Sequence, residues 1–513
     1  MHPSIVARSH PDKVAYIMAA TREAVTYRQL DERSNQGAHL WRSLGLEIGD
    51  VIAFYFDNHP RFLELIWAAQ RAGLYYVCVS NRLTPAEAGY VVMDSGAKAL
   101  IVSASAGPNV HALSTEMPAI ALLAVGGAVN GFRALEPVIA DLPTTPISDQ
   151  HPGQDFLYSS GTTGRPKGVK TALSPSSDLG ADHPYTGRLI KLYAIDGDTR
   201  YLSPAPIYHA APLRWAMAVQ RVGGTVVILE KFDPENALSQ IEIFKVTHSQ
   251  WVPTHFIRML KLPAEVRARY DLSSLKVALH AAAPCPIPVK EAMLAWWGPV
   301  IYEYYSGTEA IGMCAISPYE WVTHKGSVGR AMLGKLRICD DADAVLGPGQ
   351  VGDVYFEDGP AFEYSNAPEK TASSVNSHGW RTMGDVGYVD AEGFLYLCDR
   401  KDFMIIVGGV NVYPQEIEDV LVEHPSVADA AVIGMPDDDM GQRPLAIVEL
   451  TPSAAPGDAL REELMAFMKT RLSTAKMPAA LRFEPCLPRE PNGKLMKRRL
   501  LAPAQQMQKE WSR

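Results

Sequence analysis

The alternation of apolar and polar positions predicts strands and helices in turn through the first half of the chain. Segments 24–31, 51–55 and 63–69 show this alternation, and a second series runs from Tyr201 to about Ile301. The apolar run 225–229 is short, which suggests a buried strand. Strands that alternate with helices favour an α/β architecture with mostly parallel sheets.

The pattern changes after about Val328, where glycines separate short β-like runs and predict a β-rich subdomain. A polar tetrad, 399–402, then stands between the apolar runs 394–397 and 404–407 and marks a candidate domain boundary. Residues 403–513 are long enough for a separate small α+β domain. We see no internal repeat and no low-complexity tract.

Composition narrows the classes of function. The 513 residues suggest about three structural units, with 47% apolar and 20% charged residues, as in a soluble globular protein. The net charge of -9 opposes non-specific binding to nucleic acid. The six cysteines lack CxxC spacing, so neither a zinc site nor a disulfide framework is indicated.

The sequence indicates a cytoplasmic protein. The N-terminus lacks the basic and apolar regions of a secretory signal, and the C-terminal Trp511-Ser512-Arg513 is not a known address or lipidation signal. The apolar stretch 118–129 is shorter than the roughly 20 residues that a helix needs to cross a bilayer. We expect no integral membrane association, and a homodimer stays open.

The segment 158–169 carries the first chemical signal. It reads Tyr-Ser-Ser-Gly-Thr-Thr-Gly-Arg-Pro-Lys-Gly-Val. Its glycines let backbone N–H groups approach oxygens closely, its hydroxyls add donors, and Lys167 supplies a cation. The loop therefore suits a polyphosphate, although it is not a Walker A loop. A flexible surface turn is the alternative for a generic Gly/Ser/Thr cluster.

The order of residues in this loop resembles the signature of the adenylate-forming superfamily, which contains acyl-CoA synthetases, peptide-synthetase adenylation domains and luciferases. Further segments match that family's motifs in order and cover nearly the whole chain: 206–209, 281–284, 304–309, 384–387, 399–400, 408–418 and 491–494. The resemblance implies a large N-terminal domain of mixed parallel-sheet α/β layers plus a β-rich subdomain, with a small mobile α+β C-terminal domain. The implied boundaries are 1–399, a hinge at 400–402, and 403–513.

The resemblance also implies where ATP or AMP binds. Glu309 is assigned to Mg²⁺, Asp385 to the ribose hydroxyls, and Arg400 to the nucleotide. A solvated loop carboxylate is the alternative for Glu309, and a turn aspartate is the alternative for Asp385. The remaining residues implied at the nucleotide are Ser159, Ser160, Gly161, Thr162, Thr163, Lys167, Glu303, Tyr304, Tyr305 and Thr308.

The C-terminal part would supply the rest of the chemistry. Lys494 follows a Pro-Asn-Gly turn that can present one side chain into a cleft, whereas Lys497 and its basic neighbours look like a solvated face. Gly408 and Gly409 would let the pantetheine arm of CoA pass, or mark only a tight turn. Asp402 matches the expected pivot of a C-terminal domain that swings between the two half-reactions.

The acyl group is expected beside the motif around His209. That histidine would act as an aromatic gate between the acyl pocket and the thiol path, with a core histidine as the alternative. Arg214 is expected to point to solvent or to pair structurally, with binding of a polar substrate tail as the alternative. The predicted acyl pocket consists of Tyr208, Leu213, Met217, Trp251, Ala281, Ala282 and Met313.

These residues predict an acid:CoA ligase that uses ATP and Mg²⁺ and has CoA as co-substrate. The alternatives are an adenylation domain that loads a carrier protein and a non-catalytic protein that binds nucleotide or acyl ligands. Apolar side chains at the predicted pocket suggest an apolar acid. The expected substrates are, in order of preference, fatty acids of medium or long chain, aryl acids such as hydroxycinnamates, and steroid-like acids.

Overall fold

Parallel strands form the first of two large sheets in the N-terminal part. The computed structural model of the protein describes residues 1–117, 119–159, 166–181, 184–437, 439–489, 495–497 and 499–500. Strand Val51–Phe56 is buried at every position, which explains its unbroken apolar run. The spatial order of this sheet is Arg133–Ala134, Ala121–Val125, Ala97–Ser103, Val51–Phe56, Tyr75–Ser80 and Gln154–Asp155.

The second large sheet is parallel in its middle and antiparallel at both edges. Run 225–229 lies in it as the buried strand Thr225–Ile228. The carboxyl ends of its parallel strands meet at one edge of the sheet. Its spatial order is Arg330–Leu333, Met313–Ile316, Ile301–Ser306, Val277–His280, His248–Trp251, Arg200–Ser203, Thr225–Ile228, Val14–Met18 and Ala24–Thr26.

Helices fill the space between and around these sheets. Segment 24–31 crosses from a strand into helix Tyr27–Ser43, because the Thr26 side chain and Gln29 form a capping box at the junction. That helix and Phe62–Arg71 pack together in a core that both sheets share. The other helices before the β-rich part are Pro3–Ser9, Pro85–Asp94, Glu136–Ile139, Pro184–Leu192, Ala210–Arg221, Pro234–Phe244, Pro253–Leu260, Ala264–Arg267, Ile287–Trp297 and Pro318–Thr323, with a 3₁₀ helix at Pro108–Glu116.

Two antiparallel sheets make up the predicted β-rich part. The first brings Glu363–Tyr364 beside Lys167–Lys170, which pairs in turn with Leu157–Ser159. The second has the order Lys335–Cys339, Gly352–Glu357, Arg381–Val389 and Leu395–Arg400. Helix Pro368–Ser373 follows strand Glu363–Tyr364 and precedes strand Arg381–Val389 in the sequence.

The C-terminal part has a hydrophobic core of its own. A 3₁₀ helix, Lys401–Phe403, precedes it. Its helices are Pro414–Val422 and Asp458–Lys469, with a 3₁₀ helix at Thr474–Lys476. Its strands follow the order Val410–Val412, Ile405–Val407, Gly441–Leu450 and Val427–Asp437, and Ala480–Glu484 also pairs with Gly441–Leu450. The fold class expected from the sequence is confirmed.

The apolar stretch 118–129 contains the short strand Ala121–Val125, which pairs with its neighbours in the first sheet. Among the described residues, no helix combines the length and apolar character that crossing a bilayer requires.

Candidate functional site

A cavity of about 760 Å³ lies at the carboxyl ends of the parallel strands in the second large sheet. Ser203, Trp251, Ala281 and Ser306, which stand at or just beyond those ends, border it. Open α/β sheets bind their ligands at this edge. The opposite walls come from the four-stranded sheet and the C-terminal part, through Asp353, Tyr355, Thr382, Arg400, Leu495, Met496, Lys497 and Arg499.

Asp385 and Arg400 form an ion pair at one end of the cavity. They are partners on adjacent antiparallel strands, and Arg400 Nε lies 2.9 Å from Asp385 Oδ1. Tyr305 Oη donates to Asp385 Oδ2 at 2.5 Å. Burial raises the pKa of Asp385, and the Arg400 charge opposes that shift. Arg400 borders the cavity, whereas Asp385 and Tyr305, both predicted at the nucleotide, lie directly behind it. The pair places a cation at this end of the cavity with a carboxylate beside it, which suits phosphate and hydroxyl groups.

Glu309 stands between this pair and the phosphate-loop strands. Tyr364 Oη donates to Glu309 Oε1 at 2.7 Å, and Tyr364 is paired with Val169 in the same small sheet as Lys167. Mg²⁺ is usually held by one or two carboxylates together with substrate phosphates. No group of three or more His, Cys, Asp and Glu side chains among the described residues forms a metal cage. The single carboxylate of Glu309 therefore fits Mg²⁺ that arrives with a nucleotide.

The two ends of the phosphate loop lie side by side, because Ser159 and Lys167 are cross-strand partners. Lys167 borders the cavity. The predicted residues Ser160, Gly161, Thr162 and Thr163 lie outside the described residues, and so does Lys494. Beyond Lys494, the cavity is bordered by Leu495, Met496, Lys497 and Arg499.

Glu303 does not border the cavity, contrary to the expectation from its motif. Its Oε2 lies 2.5 Å from Lys290 Nζ and 3.3 Å from His280 Nε2, and all three side chains are buried. Alternate residues of a strand face opposite sides. Tyr304 and Ser306 face the cavity, so Glu303 faces the helix that carries Lys290.

Lys497 does not lie on a solvated face, contrary to a second expectation from the sequence. Its side chain is buried rather than solvated, and its Nζ lies 2.7 Å from Glu418 Oε1. The same ammonium group lies 5.2 Å from the ring centre of Phe403, just after the predicted hinge. The segment after Lys494 is thus tied to helix Pro414–Val422 by a buried ion pair.

The predicted acyl pocket is only partly at the cavity. Tyr208, Trp251, Ala281 and Ala282 border it, as do Tyr304 and Thr308. Ala282 has φ 75°, a left-handed conformation that is uncommon for alanine and that clusters at functional sites. Leu213, Met217 and Met313 do not border the cavity; they lie buried in the core between the two large sheets.

Helical periodicity explains the difference along helix Ala210–Arg221. Arg214 and Trp215 face the cavity, while Leu213 and Met217 project toward the core. Arg214 Nε donates to Asp155 Oδ2 at 2.6 Å, so the charge of this arginine is already paired. Its second contact is the Thr308 carbonyl oxygen, 3.4 Å from Nη2.

His209 immediately precedes that helix and borders the cavity, with its ring centre 4.5 Å from that of Tyr208. Asp402, in the 3₁₀ helix after Arg400, also borders the cavity. Gly408 and Gly409 do not border it in this arrangement, and both have positive φ.

Several polar residues at the cavity were not predicted, among them Tyr201, Ser203 and Gln250. Ser203 and Gln250 stand at or next to the carboxyl ends of parallel strands, and Tyr201 lies two residues before such an end. That position, rather than a motif, is the signal that would have found them.

Comparison with known proteins identifies the two parts of the chain. The family model described as AMP-binding enzyme matches residues 4–361, and the model of the C-terminal domain of AMP-binding enzymes matches residues 416–494. The chain is 31% identical to the fatty acid–[acyl-carrier-protein] ligase ScoC of Streptomyces coeruleorubidus over 93% of this chain and 91% of that protein. It is 32% identical to a feruloyl-CoA synthase of Amycolatopsis over 96% of both chains. The crystal structure of the anthranilate CoA ligase AuaEII in complex with anthranoyl-AMP superposes with a TM-score of 0.84 at 25% identity, over 98% of this chain and 97% of that one.

Proposed function

Because the chain belongs to the AMP-binding enzyme family and is an AMP-forming acid–thiol ligase, we propose that it joins a compact, ring-bearing carboxylic acid to CoA in two steps. In the first step a carboxylate oxygen attacks the α-phosphorus of ATP, and pyrophosphate leaves. In the second step the thiol sulfur attacks the acyl carbon, the bond to AMP breaks, and the thiol proton passes to solvent.

The observation that carries the proposal is the continuity of one cavity from an ionic end to an aromatic end. Arg400, Glu309 and Lys167 stand at the ionic end, where phosphate charge would be balanced. Trp215 and Trp251 stand at the aromatic end. An acid held with its ring against the tryptophans would direct its carboxylate toward the phosphates, which is the geometry that the first step needs.

Side chains of this protein would then have separate roles. Asp385 would accept hydrogen bonds from the ribose, and Arg400 would fix that carboxylate. Glu309 would hold Mg²⁺, which lowers the negative charge of the phosphates when it is bound. Lys494 would stabilise charge in adenylation, and His209 would gate the thiol path.

The walls of the pocket favour a ring over a long alkyl chain. The acyl end is lined by Trp215, Trp251, Tyr208 and Tyr304, and aromatic side chains stack well on flat ligands. A cavity of about 760 Å³ is within the range that holds one drug-sized ligand, and here it must hold nucleotide as well as acid. The names of the feruloyl and anthranilate relatives fit an aryl acid, whereas those of the fatty-acid relatives fit the first expectation from the sequence.

The test is to incubate pure protein with ATP, MgCl₂, CoA and a panel of benzoates, cinnamates, octanoate, palmitate and a bile acid. Pyrophosphate, AMP and acyl-CoA are then measured for each acid. We expect the highest kcat/KM with a benzoate or a cinnamate. Thioester formation with palmitate alone would overturn the ring-acid assignment, and AMP without thioester from every acid would overturn the transfer to CoA.

Gly408 and Gly409 lie away from the cavity in this arrangement, which supports a rotation about residues 400–402 before the second step. Gly409→Leu would then impair thioester formation from supplied acyl adenylate more than adenylation. Gly409 has φ 83°, so backbone strain needs a control. Gly393→Leu provides it, because Gly393 also has φ 83° and also has open space around its Cβ position. Equal effects of both variants would contradict the assignment to the thiol path.

A further inference from the structure

The inner corner of the acyl pocket is polar, although its walls are aromatic. Gln250 stands at the centre of this corner, which we define by Tyr201, Ser203, Trp215, Gln250 and Tyr304. Its Nε2 donates to Tyr304 Oη at 3.0 Å, and its Oε1 accepts from Tyr201 Oη at 3.3 Å. All five residues border the cavity and are buried. The corner therefore holds a hydrogen-bonded chain where an apolar acid would place hydrocarbon.

Gln250 and Trp215 each carry a donor that is not used within the described part of the chain, and the hydroxyl of Ser203 is also buried there without a partner. A glutamine amide has two N–H groups, and Gln250 directs one of them at Tyr304. The indole N–H of Trp215 is buried without a hydrogen-bond partner among the described residues, and only 2% of the residue is exposed. The ring of Trp215 lies 6.2 Å from that of Tyr201 and 6.4 Å from that of Tyr304, so both donors belong to the same corner.

Trp251 borders the same cavity, and its indole N–H has a hydrogen-bond acceptor. Its Nε1 donates to Ser249 Oγ at 2.7 Å. A buried donor left without a partner costs about 1–3 kcal/mol. The indole N–H of Trp215 is already out of contact with water, so it bears this cost before any acid binds. A purely apolar acid would leave that cost in place and would add the second N–H of Gln250 to it, whereas an oxygen atom on the acid that reaches the two donors would relieve it.

The charge of the corner restricts the kind of oxygen. None of the five side chains carries a charge in its ordinary state, and burial raises the pKa of Tyr201 further above its usual value. The nearby Arg214 is paired with Asp155. A second carboxylate on the acid would be desolvated here without a counter-ion, so a neutral oxygen fits better.

We propose that this corner binds a neutral, hydrogen-bond-accepting oxygen at the end of the acid opposite its carboxylate, with Gln250 and Trp215 as donors. The proposal rests on the proposed function, because the corner is the inner end of the acyl pocket. The substrate class becomes a compact ring acid that bears a hydroxyl, methoxy or oxo group.

The experiment uses pairs of acids that differ only in the distal oxygen. The pairs are benzoate and 4-hydroxybenzoate, cinnamate and 4-hydroxycinnamate, and octanoate and 8-hydroxyoctanoate. We expect wild-type protein to show a kcat/KM about tenfold higher for the oxygen-bearing member of a ring pair, as for one hydrogen bond of about 1.4 kcal/mol. Gln250→Leu and Trp215→Phe should each bring this ratio toward one.

The control variant is Trp41→Phe. Trp41 is also buried with an indole N–H that lacks a partner among the described residues, but it does not border the cavity. Its substitution should leave the ratio unchanged, which separates recognition from a general loss of packing.

The outcomes distinguish the two proposals. Conversion of both members of every pair with ratios near one would overturn the polar corner and leave the ligase function standing. A preferred oxygen-bearing acid whose ratio survives both variants would also overturn the assignment to Gln250 and Trp215. Failure to form adenylate from any acid would instead overturn the proposed function.

Discussion

Arg400 Nε lies 2.9 Å from Asp385 Oδ1, and this ion pair joins the last strand of the β-rich part to the strand before it, at the point where the C-terminal part begins. Tyr305 completes the arrangement from the second large sheet. Two parts of the fold, the β-rich part and the second large sheet, therefore meet at one carboxylate. A nucleotide bound there would contact Arg400, which is the first residue of the predicted hinge.

Asp385→Asn should weaken the binding of AMP about tenfold or more, since a hydrogen bond to a charged group is worth about 1.5–3 kcal/mol. The variant keeps the shape of the side chain and leaves the Arg400 charge without its partner. Isothermal titration with AMP measures the effect. Tyr305→Phe, which removes one hydroxyl from the same cluster, should weaken binding less. An unchanged Kd in Asp385→Asn would refute the ribose assignment.

Motif order allowed the sequence to place Asp385, Arg400, Thr308 and Lys167 near one site, because each belongs to a short segment with a recognisable spacing. Contacts between distant segments were not predictable in this way. Tyr364 approaches Glu309 only because a small sheet pairs its strand with the phosphate-loop strands.

Tyr364→Phe should reduce the effect of Mg²⁺ on ATP binding. Without the hydroxyl, Glu309 Oε1 loses a donor that fixes the carboxylate. We expect the gain in ATP affinity that Mg²⁺ provides to fall three- to tenfold, which is about the effect of one hydrogen bond. The measurement is the Kd of ATP with MgCl₂ and with EDTA. Tyr388→Phe is the control, because Tyr388 stacks on Tyr396 in the β-rich part. A ratio of the two Kd values equal to that of wild type would contradict the positioning role of Tyr364.

Lys494→Ala should lose adenylation activity, whereas Lys497→Ala should lose stability. Removing a cation that stabilises the transition state costs about 10²–10³ in rate, so Lys494→Ala should suppress pyrophosphate release far more than thioester formation from supplied acyl adenylate. Lys497→Ala leaves Glu418 buried and unpaired, which should lower the melting temperature. Equal loss of both half-reactions in Lys494→Ala, with normal stability, would refute its role.

Lys290→Met should destabilise the protein by about 3–5 kcal/mol, because it leaves the buried Glu303 carboxylate without its main partner. Burial already raises the pKa of Glu303, and Lys290 opposes that shift. The double variant Lys290→Met with Glu303→Gln should recover part of the loss. Denaturant unfolding of the single and double variants forms a cycle, and additive effects would show that the two side chains are not coupled.

The same pair shows which way the Glu303 side chain faces, which its motif could not predict. Its neighbours Tyr304 and Thr308 do border the cavity, so the motif located the strand correctly. Which face of a strand meets the ligand depends on register and on the packing of a distant helix, here the one that carries Lys290. Lys497 is a parallel case, since its partner Glu418 lies far away in the chain.

Asp419 should make stability depend on pH. It lies on helix Pro414–Val422, where burial raises its pKa to about 7, the acidic neighbours Glu418, Glu423 and Asp399 raise it further, and a hydrogen bond from Gln415 opposes the shift. An exposed aspartate has a pKa near 3.9. Between about pH 4 and pH 7 the folded protein therefore holds a proton that the unfolded chain has released, so the raised pKa makes stability fall as pH increases through this range.

Asp419→Asn removes this proton uptake, because an amide does not titrate there. Its melting temperature should exceed that of wild type at pH 8 and approach it at pH 5, which thermal unfolding at both values measures. Glu462→Gln, a change of an exposed carboxylate on helix Asp458–Lys469, controls for the loss of one negative charge. If wild type and Asp419→Asn differ by the same amount at both pH values, burial of a protonated Asp419 is not the cause.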